Sequence, residues 1–478
     1  MTRKKKTVAD IPLVVDLDGT LLKVDTLHEA FVQLAAKQPL EALRALSTLK
    51  QSRAAFKAAV ANHVLPDAAT VPFDEKVLEA IKLARKKGRK VYLASAADKR
   101  FVDAIAESMG GFDGVFASDS GTNLKGETKA ARLVEVFGLR GFDYVGNEAV
   151  DLPVWRVART PLIAGASSGL VEQLIRERPD SIVLSTRNSN VWAYIRALRP
   201  HQWLKNVLLF LPVLAAHIFS GGTLITILIA FVSFCLGASS IYLVNDMVDL
   251  PNDRTHSEKR HRPLAAGEIP LSHAAILFCC LATVSLALAL ALPWIFLLAL
   301  VGYFGLALSY SFYLKRKLMI DVVALAALYG IRVVAGSAAT GIFLSHWLLG
   351  FCFFIFLSLA LMKRTTEIIL LPETSVDKIK GRGYRRTDLA TINALTAASG
   401  FVAVLVLALY ISSPEVMTLY RRPEILWGIC VILVYWLGRA FFLAGRGEMR
   451  QDPVIFAATD RISLQAGILV AVTFLIAL

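Results

Sequence analysis

The chain has 478 residues, 55% of them hydrophobic, and a formal net charge of +14. This length exceeds what one compact core usually holds, so we expect at least two domains. The positive charge would suit nucleic acid, but the sequence contains no nucleic-acid recognition module, so we expect no nucleic-acid partner. The mean hydropathy of +0.56 comes mainly from apolar runs after about residue 200, which excludes a wholly soluble protein.

The first residues do not predict export. Arg3 to Lys6 is basic, but the apolar stretch 11–15 that follows is too short for the hydrophobic region of a secretory signal. We therefore expect the first domain to stay in the cytosol. All five cysteines lie in apolar segments without metal-ligand spacing, and they predict small hydrophobic side chains.

The first part of the chain predicts strands with polar side chains at their ends. Residues 11–20 indicate a buried strand and a turn, and further strands are predicted at 91–94 and 143–145. Ligand-binding groups collect at such strand ends in α/β sheets. A helical pattern lies between the last two strands. The polar residues at these places are, in chain order, Asp16, Asp18, Ser95, Lys129, Asn147 and Asp151.

This set resembles the haloacid dehalogenase (HAD) superfamily of phosphotransferases over about residues 10–175. The resemblance implies a Rossmann-like α/β domain with phosphatase activity, and residues 25–75 resemble a small helical cap that favours small phosphorylated substrates. A carboxylate can attack phosphorus and divide one difficult hydrolysis into two easier steps. We expect Asp16 to be this nucleophile and Asp18 the general acid and base.

The same resemblance implies how phosphate and metal would be held. Ser95 and Lys129 would bind the phosphoryl oxygens, and the Mg2+ ligands would be Asp16, the Asp18 carbonyl, Asn147 and Asp151. Asn147 departs from the family pattern, because an acid is usual at that position. A catalytically idle HAD domain that only anchors or regulates the rest of the chain is the alternative.

The composition changes near residue 200. We expect a cytosolic domain over 1–180, a linker over 181–198 and an all-α membrane domain over 199–478. Apolar runs of about 20 residues, the length of a membrane-spanning helix, recur in the membrane domain. They predict about nine transmembrane helices, at 206–218, 223–244, 271–291, 294–313, 319–340, 346–362, 390–411, 425–443 and 461–478.

The distribution of Lys and Arg predicts the orientation in the membrane. With the N-terminus inside, the loops expected in the cytosol hold most of the basic residues, whereas the opposite loops hold only Arg421 and Arg422. This asymmetry follows the positive-inside rule. We expect an integral protein of the cytoplasmic (inner) membrane, with the first domain and the active sites facing the cytosol.

Acidic residues lie at the end of the second candidate span. On a helix, Asp246, Asp249 and Asp253 would share one face, because they fall at i, i+3 and i+7, and Asn245 would lie over Asp249 at i+4. A charge in hydrocarbon costs roughly 2.5 to 3.5 kcal/mol, so retained acids suggest function. Oxygen ligands at this density suit Mg2+, which shares its remaining sites with substrate phosphates. A solvated, acid-capped helix end is the alternative.

These acids, followed by Lys259 and Arg262, resemble the first signature of the UbiA superfamily of intramembrane prenyltransferases, over about residues 195–478. The resemblance implies that Asp246, Asp249 and Asp253 are catalytic. Members that prenylate an aromatic ring carry a second acid-rich motif after the sixth span. The corresponding loop here has scattered acids, Glu367, Glu373 and Asp377, amid seven basic residues. A basic loop suits phosphate oxygens.

With the segment Gln202 to Asn206, this combination resembles the decaprenyl-phosphate phosphoribosyltransferase branch, in which a QWxKN segment accompanies one full acidic motif. The resemblance implies that 5-phosphoribosyl passes from phosphoribosyl pyrophosphate to a polyprenyl phosphate in the bilayer, with release of diphosphate. The residues expected to bind substrate are Arg199, Gln202, Lys205, Asn206, Lys259, Arg262, Tyr310, Lys315, Asp321, Arg332, Lys363, Arg364, Tyr384 and Arg385.

Arg332 is a special case because it lies in the middle of a predicted span. An unpaired charge there would be costly, so we expect a partner, and both a functional and a structural pairing are open.

The fusion of the two domains suggests two successive reactions. The HAD domain would remove the 5-phosphate and give polyprenylphosphoryl ribose for cell-envelope glycan precursors. One alternative is an aromatic prenyltransferase of quinone or haem type that uses a prenyl diphosphate beside an idle or regulatory HAD domain, and the basic loop argues against it. Another is a scaffold or transporter, which would not need the acids on one helix face.

Overall fold

The computed structural model describes residues 11–65, 67, 70–119, 123–186, 190–371, 382–449 and 452–478. Arg3 to Lys6, Glu373 and Asp377 lie outside these ranges. The backbone packs into two units, one of residues 1–198 with 242–278 and one of residues 199–241 with 279–478. The segment with the acids thus packs as part of the first unit.

A six-stranded parallel sheet forms the centre of the first unit, in the order β3-β2-β1-β4-β5-β6. β1 lies between β2 and β4, with Leu13 beside Val91 and Asp143. Its residues are apolar and buried, as is usual for a parallel strand. The strands are β1 Leu13–Val15, β2 Val91–Asp98, β3 Gly114–Ser118, β4 Asp143–Gly146, β5 Pro161–Ile163 and β6 Ile182–Val183. The α/β prediction is confirmed, and β2 continues past Ser95 to Asp98.

Helices follow the strands in the first part of the chain. They are α1 Thr26–Lys37, α2 Pro39–Ser47, α3 Arg53–Ala61, α4 Glu75–Lys86, α5 Lys99–Met109, α6 Glu127–Phe137, α7 Leu152–Val157, α8 Ser168–Glu177 and α9 Val191–Leu198. The helices α1 to α3 form the region predicted as a cap. Asp25 caps α1 by accepting a hydrogen bond from the His28 N–H. Apolar residues of α1, such as Leu34, pack in one core cluster with Leu21 and Val60.

Most of the remaining helices are longer and more apolar, with short helices between them. They are α10 Leu211–Ala215, α11 Gly221–Val248, α12 Leu250–Thr255, α13 Leu271–Ala289, α14 Trp294–Phe312, α15 Ile320–Thr340, α16 His346–Ile369, α17 Leu389–Ile411, α18 Pro414–Leu419, α19 Trp427–Gly445, α20 Pro453–Thr459 and α21 Arg461–Ala477. In the second unit α15, α16, α17 and α19 contribute Val333, Leu359, Ala403 and Leu437 to one apolar core. Short 3-10 helices occur at Thr48–Lys50, Ala149–Asp151, Pro200–Phe210, Lys259–His261, Leu314–Arg316, Arg386–Asp388 and Pro423–Leu426.

Within the described residues, seven helices are long and apolar enough to cross a membrane, or eight if the pair α20 and α21, bent by 77°, is one span. The prediction of about nine was approximate, and its first span, 206–218, does not form one long helix. That stretch is a 3-10 helix up to Phe210 followed by the short α10, in which Pro212 lies at the start. Proline cannot continue a preceding α-helix, because it lacks the backbone N–H and its ring clashes with an earlier carbonyl.

Candidate active sites

The predicted HAD residues converge at the carboxyl ends of β1 and β4, where the strand order reverses. Lys129, from α6, places its Nζ 2.8 Å from Asp16 Oδ1 and 3.5 Å from Asp151 Oδ1. It also donates to the hydroxyl of Tyr144 at 2.9 Å. All of these side chains are buried. One ammonium group therefore lies between two buried carboxylates at the switch point, where ligands bind in doubly wound sheets.

Asp151 is fixed by donors from its own loop. Its Oδ1 accepts from the Tyr144 hydroxyl at 2.8 Å, and its Oδ2 accepts from the backbone N–H groups of Asn147 at 3.1 Å and Glu148 at 3.2 Å. The short 3-10 helix Ala149–Asp151 brings the carboxylate back to these amides. Tyr144, which the sequence did not single out, supports both Asp151 and Lys129. Its inward position on β4 would be the only sequence signal.

Asp18 and Asp16 are held in different ways. Asp18 accepts the Thr26 N–H at 2.8 Å, at the start of α1, and Asp16 accepts the Thr20 hydroxyl at 3.2 Å. Burial raises the pKa of Asp16 to about 6, although Lys129 lowers it in part. Burial and the neighbouring Asp25 raise the pKa of Asp18 to about 8. Near neutral pH, Asp16 can therefore be ionised while Asp18 keeps a proton, as a nucleophile and a general acid require.

The side chain of Asn147 packs directly over Gly19. Gly19 has φ +72, and a Cβ at this position would come within 2.2 Å of the Asn147 Nδ2. Only glycine satisfies both the backbone angle and this close approach. Asn147 is thus brought to the turn that follows Asp18.

The cavity at this site has a volume of about 430 Å³ and is lined by Asp16, Asp18, Lys129, Asn147 and Asp151, together with Ser95 and residues of the cap region. Ser95 is buried in β2 and accepts the Ala97 N–H at 3.0 Å. Arg53 and Lys57 of α3 line the same cavity, and Lys57 donates to the carbonyl oxygen of Ala96. The sequence analysis missed both cations because no motif marks them. Their only signal was their position in a predicted cap.

The donor set of this cavity fits a hard cation. Within the described ranges no three His, Cys, Asp or Glu side chains form a preformed metal cage. The available groups, however, are carboxylate, amide and carbonyl oxygens, which Mg2+ prefers. Asp16 is buried and Asp18 is half-buried, and desolvation raises the pKa of both carboxyls, so a bound cation would relieve an electrostatic cost that Lys129 only partly offsets.

The acids after the second candidate span also gather around one cation. Arg262 Nη1 lies 3.2 Å from Asp246 Oδ1 and 2.6 Å from Asp253 Oδ2. Asp246 and Asp253 are buried, whereas Asn245 and Asp249 are half-buried. Because one guanidinium reaches both carboxylates, these two acids face the same side. The carboxylates of Asp246 and Asp253 already hold one positively charged group between them, so their oxygens also fit a metal cation.

The helix carrying these acids is interrupted at Asp249. α11 ends at Val248 and α12 begins at Leu250, with Pro251 in its first turn. The i to i−4 hydrogen bonds from Asp249 to Asn245 and from Asp253 to Asp249 remain at 2.9 Å. The predicted helical spacing is therefore kept in backbone terms, and Pro251 accounts for the break because it has no N–H to donate. Burial raises the pKa of Asp253, although Arg262 opposes this.

In the second unit, two predicted lysines share one carboxylate that the sequence analysis missed. Lys205 Nζ is 3.2 Å and Lys363 Nζ 2.8 Å from Asp452 Oδ2. A small cavity of about 40 Å³ is lined by these three residues and Tyr329, among others. Burial alone would raise the pKa of Asp452, but the two lysines lower it overall. The signal for Asp452 was its position before Pro453, which is typical of a helix cap.

A second polar cluster surrounds Asp321. Arg364 Nε lies 2.9 Å from Asp321 Oδ2, without the alignment of a hydrogen bond, and Tyr384 donates to Asp321 Oδ1. Arg364 also contacts the hydroxyl of Tyr310 at 3.4 Å. Arg382, which was not assigned to the site, donates to the same hydroxyl at 2.6 Å. Two predicted residues, Arg364 and Tyr384, therefore contact the buried carboxylate of Asp321, and a third, Tyr310, joins the cluster through Arg364.

Arg332 is paired with neutral groups. Its Nε donates to Asn206 Oδ1 at 2.8 Å, and its guanidinium carbon lies 4.9 Å from the centre of the Tyr303 ring and 5.5 Å from that of Phe234. Asn206 in turn donates to Cys235 Sγ at 3.2 Å. The expected partner exists, and it is an amide with aromatic rings rather than a carboxylate. This arrangement favours the structural interpretation of Arg332.

The other predicted residues lie outside these clusters. Arg199 has φ 52 and precedes the 3-10 helix Pro200–Phe210, which contains the half-buried Gln202. The remaining three lie in or beside short 3-10 turns: Lys259 and Arg385 are exposed, and Lys315 is half-buried.

Comparisons with known proteins agree with this division of the chain. A model of the UbiA prenyltransferase family matches residues 207–464, and a model of haloacid dehalogenase-like hydrolases matches residues 13–156. The chain is 35% identical over 472 residues to the uncharacterized protein y4nM of Sinorhizobium fredii, which covers 98% of this chain and 91% of that protein.

Part of the chain is similar to an enzyme. It is 43% identical over 211 residues to a decaprenyl-phosphate phosphoribosyltransferase of Corynebacterium glutamicum, across 43% of this chain and 64% of that protein. Among solved structures, a UbiA homolog from Archaeoglobus fulgidus bound to GPP and Mg2+ has a TM-score of 0.46 and 19% identity, across 59% of this chain and 96% of that chain.

Proposed function

Because the chain belongs to the UbiA prenyltransferase family and carries a haloacid dehalogenase-like hydrolase domain, we propose that it is a bifunctional enzyme of lipid-linked ribose synthesis. Its membrane part transfers 5-phosphoribosyl from phosphoribosyl pyrophosphate to a polyprenyl phosphate and releases diphosphate. Its soluble part removes the 5-phosphate and leaves polyprenylphosphoryl ribose.

The observation that carries the transferase proposal is the 43% identity to a decaprenyl-phosphate phosphoribosyltransferase. The charge distribution of the chain supports it. Phosphoribosyl pyrophosphate and a lipid phosphate together bring several phosphate groups, and the second unit offers pairs of cations that share single carboxylates, such as Lys205 and Lys363 on Asp452. A prenyl diphosphate with an apolar ring would need fewer cations.

The acids would act on the leaving group. Asn245, Asp246, Asp249 and Asp253 would hold Mg2+, which supplies charge neutralisation to a departing diphosphate. Arg262 binds two of these acids and can reach toward an anion beside them. A phosphate oxygen of the lipid attacks the ribose C1 as positive charge develops there. The residues contribute chiefly by positioning the two substrates and by stabilising charge.

The phosphatase proposal rests on the cluster of Asp16, Lys129 and Asp151. Asp16 attacks the phosphorus of the 5-phosphate, and protonated Asp18 gives its proton to the ribose oxygen that leaves. Asp18, now ionised, then takes a proton from the water that hydrolyses the acyl phosphate. Lys129 and Ser95 hold the phosphoryl oxygens, and Asp16, Asn147 and Asp151 with the Asp18 carbonyl would hold Mg2+.

We place the protein in the cytoplasmic (inner) membrane with both sites in the cytosol, because basic residues are concentrated in the loops on that side. The expected domain limits, 1–180 and 199–478 with a linker between them, remain part of this proposal.

The test supplies the protein in nanodiscs with Mg2+, labelled phosphoribosyl pyrophosphate and decaprenyl phosphate, and identifies the lipid products by mass. A ribosyl or phosphoribosyl lipid is expected. A parallel reaction receives geranyl diphosphate and 4-hydroxybenzoate. Prenylation of that ring, with neither a ribosyl nor a phosphoribosyl lipid in the first reaction, would contradict the proposal and support an aromatic prenyltransferase.

A further inference from the structure

A buried ion pair joins the segment that carries the transferase acids to α1, the first helix after Asp18. The guanidinium of Arg254 contacts both carboxylate oxygens of Glu29, with Nη1 2.9 Å from Oε2. The two side chains are 5% and 2% exposed. Arg254 directly follows Asp253. Glu29 lies in α1, one turn after Thr26, whose N–H holds Asp18. The ion pair, a helical rise of about 4.5 Å from Thr26 to Glu29 and the hydrogen bond to Asp18 thus link the two groups of acids.

The surrounding contacts leave this segment little freedom. The Nε of Arg254 donates to the carbonyl oxygen of Ala265 at 3.1 Å, which closes the loop behind α12. Gly267 has φ +73, and a Cβ there would lie 3.0 Å from the Cβ of Lys23 and 3.3 Å from Val24 Cγ1. The loop therefore seats closely against the residues that precede α1.

Stability alone gives a weak reason for such a pair. Removing two charges from water costs several kcal/mol per ion, and replacing a buried pair by apolar side chains is often neutral or stabilising. An ion pair of two donors and two acceptors does, however, impose a defined geometry that apolar contacts would not. Because Arg254 directly follows Asp253 in the chain, the geometry of the ion pair bears on the position of the Asp253 carboxylate.

We propose that Glu29 and Arg254 are positioning residues of the transferase, which hold Asp253 in register with Asp246 so that the acids can take a divalent cation together with a diphosphate. The soluble domain thereby contributes to the first reaction as well as to the second. The inference rests on the proposed function in that it takes these acids to be the transferase metal site.

The test measures metal binding without any turnover. Mn2+ is titrated into the full-length protein with inorganic diphosphate present, and bound Mn2+ is followed by electron paramagnetic resonance. All variants are made in an Asp16→Asn background, which removes one of the two carboxylate ligands expected in the soluble domain, so that any Mn2+ still bound there is common to all of them. The double variant Glu29→Leu/Arg254→Met replaces the pair by apolar side chains and so avoids a lone buried charge. The Mn2+ concentration for half-saturation is expected to rise about tenfold or more, the usual effect of losing a residue that orients metal ligands.

The matched control removes another buried pair of the same unit, with Arg89→Met/Asp143→Leu. Its Mn2+ affinity is expected to equal that of the background protein, because Asp143 contacts none of the acids of the transferase. Arg254→Lys keeps the charge but loses the two-pronged contact, and it is expected to give a smaller rise. If the double variant does not fold, Arg254→Lys still tests the inference.

Unchanged Mn2+ affinity in a folded double variant, or in Arg254→Lys when the double variant is unfolded, would overturn the inference. A background protein that binds no Mn2+ in the presence of diphosphate would overturn it as well. Failure of the proposed function looks different: the background and the variants would differ in Mn2+ affinity, while the wild-type protein would form neither a phosphoribosyl lipid nor a ribosyl lipid.

Discussion

Two regions of the molecule combine carboxylates and cations in opposite proportions. In the first unit, Asp246 and Asp253 share the single guanidinium of Arg262. In the second unit, Lys205 and Lys363 share the single carboxylate of Asp452. The first arrangement places two carboxylates on one cation, which suits a metal ion, and the second places two ammonium groups on one carboxylate, which suits phosphate oxygens.

The HAD cavity also has two carboxylates around one cation, but there the cation is more deeply buried. There Lys129 is 4% exposed between Asp16 and Asp151, whereas the side chain of Arg262 is 27% exposed between its acids. A cation in partial contact with water can leave its acids at a lower cost than a buried one. Two carboxylates around one cation can therefore form a fixed site, as around Lys129, or a site whose cation can move away, as around Arg262.

The largest expected effect comes from the acid-rich region. Asp246→Asn removes a carboxylate from the expected metal site, so the rate of label transfer from phosphoribosyl pyrophosphate into lipid should fall by at least about a hundredfold. Glu258→Gln is the matched control, because Glu258 is an exposed acid of the same segment, and it should keep full activity. Equal rates for Asp246→Asn and the wild type would show that Asp246 does not belong to a metal site needed for the transfer.

A smaller effect is expected from the cation-rich region. Lys363→Met removes one of the two ammonium groups on Asp452 and should raise the KM for the lipid phosphate by about tenfold, the usual value of a hydrogen bond to a charged group. The rate at saturation should change less. Arg421→Met, an exposed cation expected on the opposite side of the membrane, should leave both constants unchanged. A fall in rate without a change in KM would count against phosphate binding here.

The smallest effect on activity is expected for an ion pair with a structural role. Asp143 contacts Arg89 and Arg159, and although burial would raise its pKa, the two arginines lower it below the ordinary value of 3.8. Its ionised form therefore stabilises the fold above that value, and this contribution is lost as the pH falls through the native pKa. Asp143→Asn should lower the Tm at pH 7 by on the order of 10 °C.

Calorimetry at several pH values checks this prediction. The difference in Tm between wild type and Asp143→Asn should shrink below pH 4, and transfer activity at low temperature should stay the same. A difference that does not depend on pH would show that the charge of Asp143 has no part in it.

The sequence predicted the residues that are set by local rules. Asp16 and Asp18 follow a short buried strand, and Asn147 and Asp151 follow another. Parallel strands bring such ends to one edge of the sheet. Pairings that form only through tertiary packing were not predicted. Lys205 was predicted, but its partner Asp452, 247 positions away, was not, and neither was the pair of Glu29 and Arg254, which are 225 positions apart.

The number of spans was also predicted only in part, for a physical reason. Hydropathy detects apolar residues but not the break that Pro212 introduces in the first predicted span, whereas the last predicted span, 461–478, agrees with α21. Asp460 accepts the Ser463 N–H at 2.9 Å, which starts a new helix at the point where the chain bends by 77°.

The central claim is that one chain both makes and dephosphorylates a lipid-linked ribose phosphate. The most direct measurement uses phosphoribosyl pyrophosphate with one label in the ribose and another in the 5-phosphate, and compares the two labels in the lipid product. Wild-type protein should give a lipid that keeps the ribose label and loses the phosphate label, whereas Asp16→Asn should keep both. The same ratio of labels in the two products would contradict the account.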